Sequence, residues 1–433
     1  MQPSGTLTPI VLATTLFLAG CATAPEPPRT QPPAPVENRL PGGQALPSVG
    51  IRPIPAPAQP APGMAIPPLP APQTPSSQPP SLQPPASSAL GPHGQALVMQ
   101  LLPPAVTRDR SGWAADIAAA FAALRLTPSA ENYCAAIAII EQESTFQADP
   151  AVPGLSKIVW REIETRRAKY MIPKLALDAA LSKPSPNGRT YRQRIDALRT
   201  EREMSELFGD MIDELPGGKL LLSGYNPVRT GGPMQVSVTY AEEHARAKPY
   251  PGGKGSLRDA VFTRRGGLYF GIAHLLDYPA PYRDPLYRFA DFNAGHYSSR
   301  NAAFQQAVAQ LSGRTLTFDG DLLRYVDGVP SAASSATQRA LLSLSRKLDL
   351  SNDEIQAGLR QEKEESFYRS KVYQRAFALA DAAAGRPLPR EAMPRIDLKS
   401  PKIRSKITTA WFAERVKMRY GHCMTRAAIA RSL

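Results

Sequence analysis

Proline is concentrated in the first quarter of this 433-residue chain, where it limits what the chain can fold into. Residues 1–104 hold 27 of the 46 prolines, and residues 22–104 have few charges and no aromatic residue. A segment of this composition cannot bury enough apolar surface to offset the entropy that is lost on ordering. We therefore expect residues 22–104 to form a disordered, Pro-rich linker with much polyproline II conformation.

The residues that follow predict a mainly α-helical fold. From Ala105 onward, apolar residues recur at helical spacing, and no pair of alternating strand segments is joined by an Asn-Gly type of hairpin turn. These roughly 330 residues are enough to bury a sizeable core without stapling by disulfides. The only long apolar run, Ile10–Gly20, has 11 residues and is too short for a membrane-spanning helix.

A short apolar segment that ends at a cysteine resembles the signal peptide of bacterial lipoproteins. Thr8–Gly20 is apolar and ends in Leu18-Ala19-Gly20, directly before Cys21. The resemblance implies that residues 1–21 contain the signal, that cleavage precedes Cys21, and that lipid, including palmitate, is attached to Cys21. Ala22 stands where a retention signal would place Asp, which favours the periplasmic face of the outer membrane. The alternative is an apolar start to a disordered tail, with a free cysteine.

Two carboxylates follow a helix that is predicted to be buried. Residues 133–140 are apolar on nearly every side, which is typical of a helix inside a core. Glu143 shares a helix face with apolar neighbours and lies near the negative end of the helix dipole, so its pKa should be raised. Glu141 points about 200° away from it. A carboxyl that stays protonated near neutral pH can act as a general acid, although a buried helix that simply reaches solvent here is the alternative.

Two later segments form a set of motifs together with Glu143. They are Gly232-Pro233-Met234-Gln235 and Phe292-Asn293-Ala294-Gly295. Together with Glu143-Ser144 and the aromatic Phe146, they resemble, in this order, the motifs of the lytic transglycosylases and goose-type lysozymes. The resemblance covers about residues 111–311. The whole chain also resembles an uncharacterised family of bacterial lipoproteins, which implies no activity.

The resemblance implies a domain organisation and a reaction. A lysozyme-like helical core would span residues 105–318, with a helical insertion at 155–229 and a C-terminal helical extension at 319–433. The substrate would be the β-1,4 bond between N-acetylmuramic acid and N-acetylglucosamine in peptidoglycan. Glu143 would first protonate the glycosidic oxygen and then accept the proton of the muramoyl C6 hydroxyl, which gives a 1,6-anhydro product. No cofactor is implied.

The resemblance also implies which residues hold the glycan strand. Ser144, Gln235 and Asn293 would bind it, Met234 would pack against it, and Gly295 would let the backbone approach it closely. Four features differ from the family pattern, and the first is the spacing of 92 residues between Glu143 and Gln235, which the insertion at 155–229 would explain. Phe292 stands where the family has Tyr, so the missing hydroxyl would come from one of Tyr282, Tyr287 and Tyr297. Val152 stands where the family has Ser, and Pro233 lacks a backbone N–H.

The remaining polar residues leave alternatives open. Asp291 is either a second carboxylate that positions water or a capping residue. Cys134 and Cys423 either form a disulfide or include an ordinary buried thiol at Cys134. The five histidines show no spacing that indicates a metal site, and we predict none.

The charge of the chain restricts its partners. The 51 basic and 37 acidic residues give a net charge of +14, and almost all of the excess lies after the linker. An exported protein does not meet nucleic acid, so peptide carboxylates and anionic lipid headgroups are the nearer partners, beside a simply solvated surface.

These patterns favour a lipid-anchored lytic transglycosylase that acts on peptidoglycan. Two other readings stay open at this point. One is a muramidase that uses water as the nucleophile. The other is a catalytically inactive lysozyme-like protein that binds glycan or serves as a scaffold in the envelope.

Overall fold

The computed structural model describes residues 91–214, 226–253, 255–326, 329–398 and 407–432. Within these residues the chain is mainly helical, and the predicted fold class is confirmed at that level. Cys21 and most of the predicted linker lie outside the described residues. No helix in the described part of the chain combines the length and the apolar character needed to cross a membrane.

Seventeen α-helices occur in the described residues, together with one short 3₁₀ helix at Glu365–Arg369. In chain order the α-helices are α1 (Gly91–Leu101), α2 (Arg110–Leu124), α3 (Ala130–Glu143), α4 (Leu155–Lys169), α5 (Lys174–Leu181), α6 (Tyr191–Asp196), α7 (Glu201–Asp213), α8 (Val238–Ala247), α9 (Leu257–Val261), α10 (Arg264–Leu276), α11 (Pro285–Ala294), α12 (Ser298–Ser312), α13 (Ala336–Ser343), α14 (Ser345–Leu348), α15 (Asn352–Leu359), α16 (Lys371–Ala384) and α17 (Thr409–Ser432).

The strands form three antiparallel pairs of two residues each. They are β1 (Thr230–Gly231) with β2 (Val236–Ser237), β3 (Tyr325–Val326) with β4 (Val329–Pro330), and β5 (Asp397–Leu398) with β6 (Ile407–Thr408). Two-stranded pairs of this length are not stable alone, so the helices must hold them in place.

Helix α1 corrects the predicted end of the linker. Val98, Leu101 and Leu102 have no exposed surface and join the largest hydrophobic core. The Arg110 guanidinium donates to the carbonyl oxygens of Met99 at 2.9 Å and Leu102 at 2.8 Å. The folded part therefore includes residues 91–104, because a short amphipathic helix was hidden by the average composition of its proline-rich surroundings.

Helix α17 corrects the predicted C-terminal boundary. It packs against α3, α11 and α1, so the end of the chain belongs to the largest core. A disulfide joins Cys134 on α3 to Cys423 on α17. Residues 319–433 are therefore not one separate extension, because their last helix completes the core that contains α3.

A second hydrophobic core crosses the predicted boundary at residue 318. Phe304 and Val308 of α12 are buried against Leu341 of α13 and Phe377 of α16. The buried Arg300 of α12 donates to the carbonyl oxygen of Glu364 at 2.8 Å. Helix α12 thus belongs to this second core, together with the helices up to α16.

The predicted helical insertion has a small core of its own. Helices α4 to α7 bury Leu155, Ile163, Leu181 and Ile195 against one another. Helices α6 and α7 begin at capping boxes, and in the second of them Thr200 and Glu203 satisfy each other's backbone N–H groups. The described residues 155–214 are therefore helical with a small core of their own, and their status as an insertion stays a prediction.

The turn between β1 and β2 requires glycine at residue 232. Gly232 has a φ of 73°, and a Cβ there would lie 2.2 Å from the carbonyl oxygen of Val261. We expect Gly232→Ala to lower the free energy of unfolding by about 2–4 kcal/mol, from backbone strain and the clash together. Gly313→Ala is the matched control, since Gly313 has a φ of 67° with no atom near its Cβ position. In urea unfolding, Gly313→Ala should lower the free energy of unfolding by about 1 kcal/mol. Equal losses in the two variants would show that the clash at residue 232 contributes nothing.

Candidate functional site

The C-terminal end of α3 carries the predicted catalytic carboxylate. Ser129 caps the start of this helix, and residues 133–140 are buried as expected. Ser144 ends it and is itself buried, with its hydroxyl donating to the carbonyl oxygen of Ile140 at 3.0 Å. That hydroxyl is therefore used inside the protein, which does not fit the predicted contact between Ser144 and a glycan.

The chain turns sharply after this helix. Thr145 and Phe146 both have positive φ angles, of 50° and 60°, which is rare for residues with side chains. The Phe146 ring makes an edge-to-face contact with Trp113 at a centroid distance of 5.3 Å. Strained backbone of this kind persists where the surrounding structure enforces it, and such positions cluster at functional sites.

Glu143 has the electrostatic character that its sequence context predicts. Burial raises the pKa of its carboxyl to about 7, and the negative charge of Glu201 adds to the shift. Its side chain keeps partial access to solvent. Within the described residues the carboxyl makes no hydrogen bond and no ion pair. Glu141 lies on another side of the helix, 3.9 Å from the Arg419 guanidinium, so the two carboxylates have different surroundings.

Glu201 is a site residue that sequence reasoning missed. It is buried at the first position of α7, within the insertion. An isolated antiparallel bridge pairs Ala151 with Thr200, and the Val152 N–H donates to the carbonyl oxygen of Arg199 at 2.8 Å. These contacts hold the start of α7 against the loop that follows Glu143. The capping-box pattern indicated a helix start here, but nothing in the sequence linked it to Glu143.

Removing the charge of Glu201 should lower the pKa of Glu143. We expect Glu201→Gln to reduce it by about one pH unit, because the repulsion that disfavours the Glu143 anion is lost. The folded-state pKa exceeds the unfolded value, so Glu143 should cost stability as pH rises from about 4.5 to about 7. The difference in unfolding free energy between each protein and its Glu143→Gln counterpart, followed against pH, measures this pKa.

Glu206→Gln is the matched control for this experiment. Glu206 lies on the same helix, 3.9 Å from Arg202, and the substitution changes the charge by the same amount. In this variant the pKa of Glu143 should equal that in the wild type. If Glu201→Gln also leaves unchanged the pH range over which Glu143 lowers the free energy of unfolding, then Glu201 does not act on Glu143.

The β1–β2 turn carries two of the predicted binding residues. Met234 is fully buried, and a Cβ on Gly271 of α10 would lie 2.6 Å from its sulfur. This position in the core does not fit the predicted contact between Met234 and a sugar. Gln235 is partly exposed, has a φ of 49°, and donates from its side chain to the carbonyl oxygen of Gly232 at 3.2 Å.

The end of α11 carries two more of the predicted binding residues, Asn293 and Gly295. Asn293 is partly exposed, and its Oδ1 accepts a hydrogen bond from the Thr409 hydroxyl at 2.9 Å. Its side-chain NH₂ donates no hydrogen bond within the described residues and remains available. Gly295 follows with a φ of 106°, where glycine is strongly favoured, and its N–H donates to the carbonyl oxygen of Asp291 at 2.7 Å.

Helix α10 brings the three motif-bearing segments into one part of the fold. It contacts α3, which ends at Glu143, β2, which follows Gln235, and α11, which contains Asn293. Glycines at 266, 267 and 271 allow this approach, since a Cβ at Gly267 would lie 2.6 Å from the Pro233 ring. The structure thus gathers the three segments around one helix, although they are far apart in sequence.

Asp291 serves the fold as a buried cap. Its carboxylate is fully buried and accepts hydrogen bonds from the N–H groups of Tyr297, at 2.9 Å, and Ser299, at 2.7 Å. The hydroxyls of Tyr278 and Tyr282 also donate to it. Burial nevertheless raises the pKa of Asp291 to about 6. This environment fits the capping role and leaves no access for a water nucleophile. It also commits the Tyr282 hydroxyl to Asp291.

Two histidines, His274 and His296, meet beside the end of α11, and the ring of Tyr240 contacts both of them and His244, although the spacing of the three in the sequence showed no pattern. The His274 and His296 rings stack at 4.6 Å, and Tyr240 lies 4.5 Å from His274. Burial lowers the pKa of His274 to about 3 and that of His296 to about 4, so both are neutral. His244 is paired with Asp277 at 3.1 Å. No cluster of His, Cys, Asp and Glu side chains suited to a metal ion occurs among the described residues.

Comparison with known proteins places the chain in a family. The sequence pattern of the family described as "Protein of unknown function (DUF1615)" matches residues 106–426. The chain is 48% identical over 329 residues to "Uncharacterized protein YaiW" of Escherichia coli (strain K12), an alignment that covers 76% of this chain and 89% of the relative. No solved structure matches it. Because the match spans well over half of the chain, the protein belongs to the DUF1615 family.

Proposed function

We propose that this protein is a peptidoglycan lytic transglycosylase with Glu143 as its general acid and base. The observation that carries the proposal is the Glu143 carboxyl itself. Burial and the Glu201 charge raise its pKa to about 7, so it is protonated in a large fraction of molecules at neutral pH. A general acid is most effective when its pKa lies near the working pH.

The reaction follows from this protonation state. The Glu143 carboxyl gives its proton to the glycosidic oxygen between N-acetylmuramic acid and N-acetylglucosamine, and the bond from C1 to that oxygen breaks. The resulting carboxylate then takes the proton of the muramoyl C6 hydroxyl as that oxygen attacks C1. The products are a 1,6-anhydro end and a free glycan end, and Glu143 returns to its protonated form.

Two polar side chains on segments that, like α3, contact α10 suit the binding of a glycan strand. The Asn293 NH₂ group and the partly exposed Gln235 amide supply hydrogen bonds of the kind that sugar hydroxyl and acetamido groups need. The partly exposed Phe146, packed on the buried Trp113, supplies an apolar surface at the turn after α3. Cys21 carries the lipid in this proposal and holds the protein at the periplasmic face of the outer membrane.

Glu201 favours a second candidate, a muramidase that uses water. A second carboxylate beside the general acid is what glycosidases use to activate a water molecule or to stabilise the oxocarbenium ion. Glu201 is buried and close enough to Glu143 to raise its pKa. The product would then be a reducing sugar and not an anhydro sugar.

Mass analysis of the products tests the proposal and separates the two candidates. Peptidoglycan sacculi are incubated with the purified chain, and the soluble muropeptides are weighed. Anhydro products, lighter by one water than reducing products, support the transglycosylase. Reducing products support the muramidase. Retention on sacculi without soluble products would overturn both and leave a protein that only binds glycan.

A further inference from the structure

The tip of the insertion exposes apolar side chains to an unusual degree. The insertion tip comprises residues 168–175, between α4 and α5. Met171 is 87% exposed, Leu175 82% and Tyr170 41%. These are three of the eight large hydrophobic side chains that are exposed in the described part of the chain, and they lie within six positions. Apolar side chains that cluster on a surface in this way mark an interaction site.

The exposure is built into the turn and does not result from fraying. Met171 has a φ of 52°, and the N–H of Ile172 donates back to the carbonyl oxygen of Arg167 at 2.9 Å. The Arg167 guanidinium in turn donates to the carbonyl oxygen of Ile172 at 3.2 Å. Ile172 is buried beneath the turn, as is Leu177 at the next turn of α5. The buried residues anchor the tip, while Met171 and Leu175 point into solvent.

The tip itself carries only basic charged side chains. Residues 165–177 contain four basic residues and no acidic residue. Two of these basic residues form ion pairs on α4, Arg166 with Glu162 and Arg167 with Glu164. Lys169 and Lys174 flank the exposed apolar side chains and form no ion pair within the described residues. No side chain caps the first turn of α5, so its N–H groups add to the positive potential beside Lys174.

We propose that the insertion tip inserts into the surface of a bilayer that contains anionic phospholipid. Met171, Leu175 and Tyr170 enter the interfacial region, where burial of apolar surface is favourable. Lys169, Lys174 and the open first turn of α5 contact lipid phosphates. Charge complementarity selects this partner. The tip carries lysines and no acidic residue, so a basic surface would repel it and a neutral surface would offer its lysines no ion pairs. The inference depends neither on the reaction proposed above nor on the lipid at Cys21.

Vesicle binding by a chain without the lipid anchor tests this inference. Residues 22–433 lack Cys21 and keep every residue that the structure describes. This chain should sediment with vesicles of phosphatidylethanolamine and phosphatidylglycerol, and only weakly with vesicles of phosphatidylcholine. Added salt should reduce the binding. Met171→Ser combined with Leu175→Ser should weaken it by about tenfold, as should Lys169→Glu combined with Lys174→Glu.

Matched controls separate the tip from general surface properties. Val329→Ser removes a 65% exposed apolar side chain elsewhere, and Arg346→Glu with Lys347→Glu makes the same charge change at another exposed site. Both controls should bind as the wild type does. A solvent-sensitive dye on Met171→Cys should shift to the blue with anionic vesicles, while the same dye on Val329→Cys should not. Absence of binding to anionic vesicles, or equal losses in tip and control variants, would overturn the inference.

Discussion

Glu143→Gln should abolish the release of soluble muropeptides from peptidoglycan sacculi. The amide has nearly the shape of the carboxylic acid but can neither give nor take the proton that the reaction moves. Loss of a general acid typically lowers the rate by about 10²–10⁴-fold. In the wild type, release should also fall as pH rises above about 7, where Glu143 becomes ionised. Quantifying soluble products over time at several pH values measures both effects.

Glu141→Gln is the control that the helix itself provides. Glu141 is two residues away and lies on the side of α3 that faces Arg419. The same chemical change there should leave product release within about twofold of the wild type. The assignment of the general acid would fail if Glu141→Gln abolished release and Glu143→Gln did not.

The same substitution should change stability in the opposite direction from activity. A carboxyl with a folded-state pKa of about 7, against an ordinary value of 4.5, costs stability once it is ionised. Above pH 7 the Glu143→Gln variant should therefore be more stable than the wild type, by about 2–3 kcal/mol. Near pH 4 the two should be alike. A variant that loses activity and gains stability in this way cannot owe its inactivity to misfolding.

Removal of the disulfide should cause the largest loss of stability. The bond between Cys134 and Cys423 closes a loop across a sequence separation of 289 residues. In the chain-entropy view, a bond that closes so long a loop restricts the unfolded chain strongly. We expect Cys134→Ala with Cys423→Ala to lower the free energy of unfolding by about 3–5 kcal/mol. Denaturant unfolding of the oxidised protein and of the double variant measures this difference.

Two comparisons identify the source of this loss. Reduction of the wild type with dithiothreitol should reproduce the effect of the double variant, and the reductant should not change the variant further. Arg426→Met removes one of the further contacts of α17, since the Arg426 guanidinium donates to the carbonyl oxygen of Leu101 at 2.8 Å. It should cost only about 1–2 kcal/mol. A double variant as stable as the oxidised wild type would show that packing alone holds α17 on α3.

Much of the local structure around Glu143 could be predicted from the sequence. The apolar residues 133–140 are buried, and Glu143 and Glu141 lie on different sides of α3 as their spacing indicated. These predictions depend on helix periodicity, which relates residues within one or two turns. The segment at 155–214 is also helical as predicted, because its apolar residues and capping boxes are local signals.

Contacts between distant segments could not be predicted in this way. The sequence contained Met234 in a motif, but only the packing against Gly271 shows that its side chain is in the core. Glu201 became a site residue because the bridge between Ala151 and Thr200 holds the start of α7 against the loop that follows α3. The sequence did not decide whether Cys134 and Cys423 form a disulfide, because the pairing depends on the packing of α17 against α3.

The sequence by itself determined a helical protein with a carboxylate at the end of a buried helix, since both follow from periodicity and composition over a few turns. The tertiary structure alone decided that α1 and α17 complete the largest core and that the charge of Glu201 acts on Glu143. It also decided that Asp291 is a buried cap. Which helix faces meet depends on the summed packing of the whole chain, and that sum is not contained in any single segment.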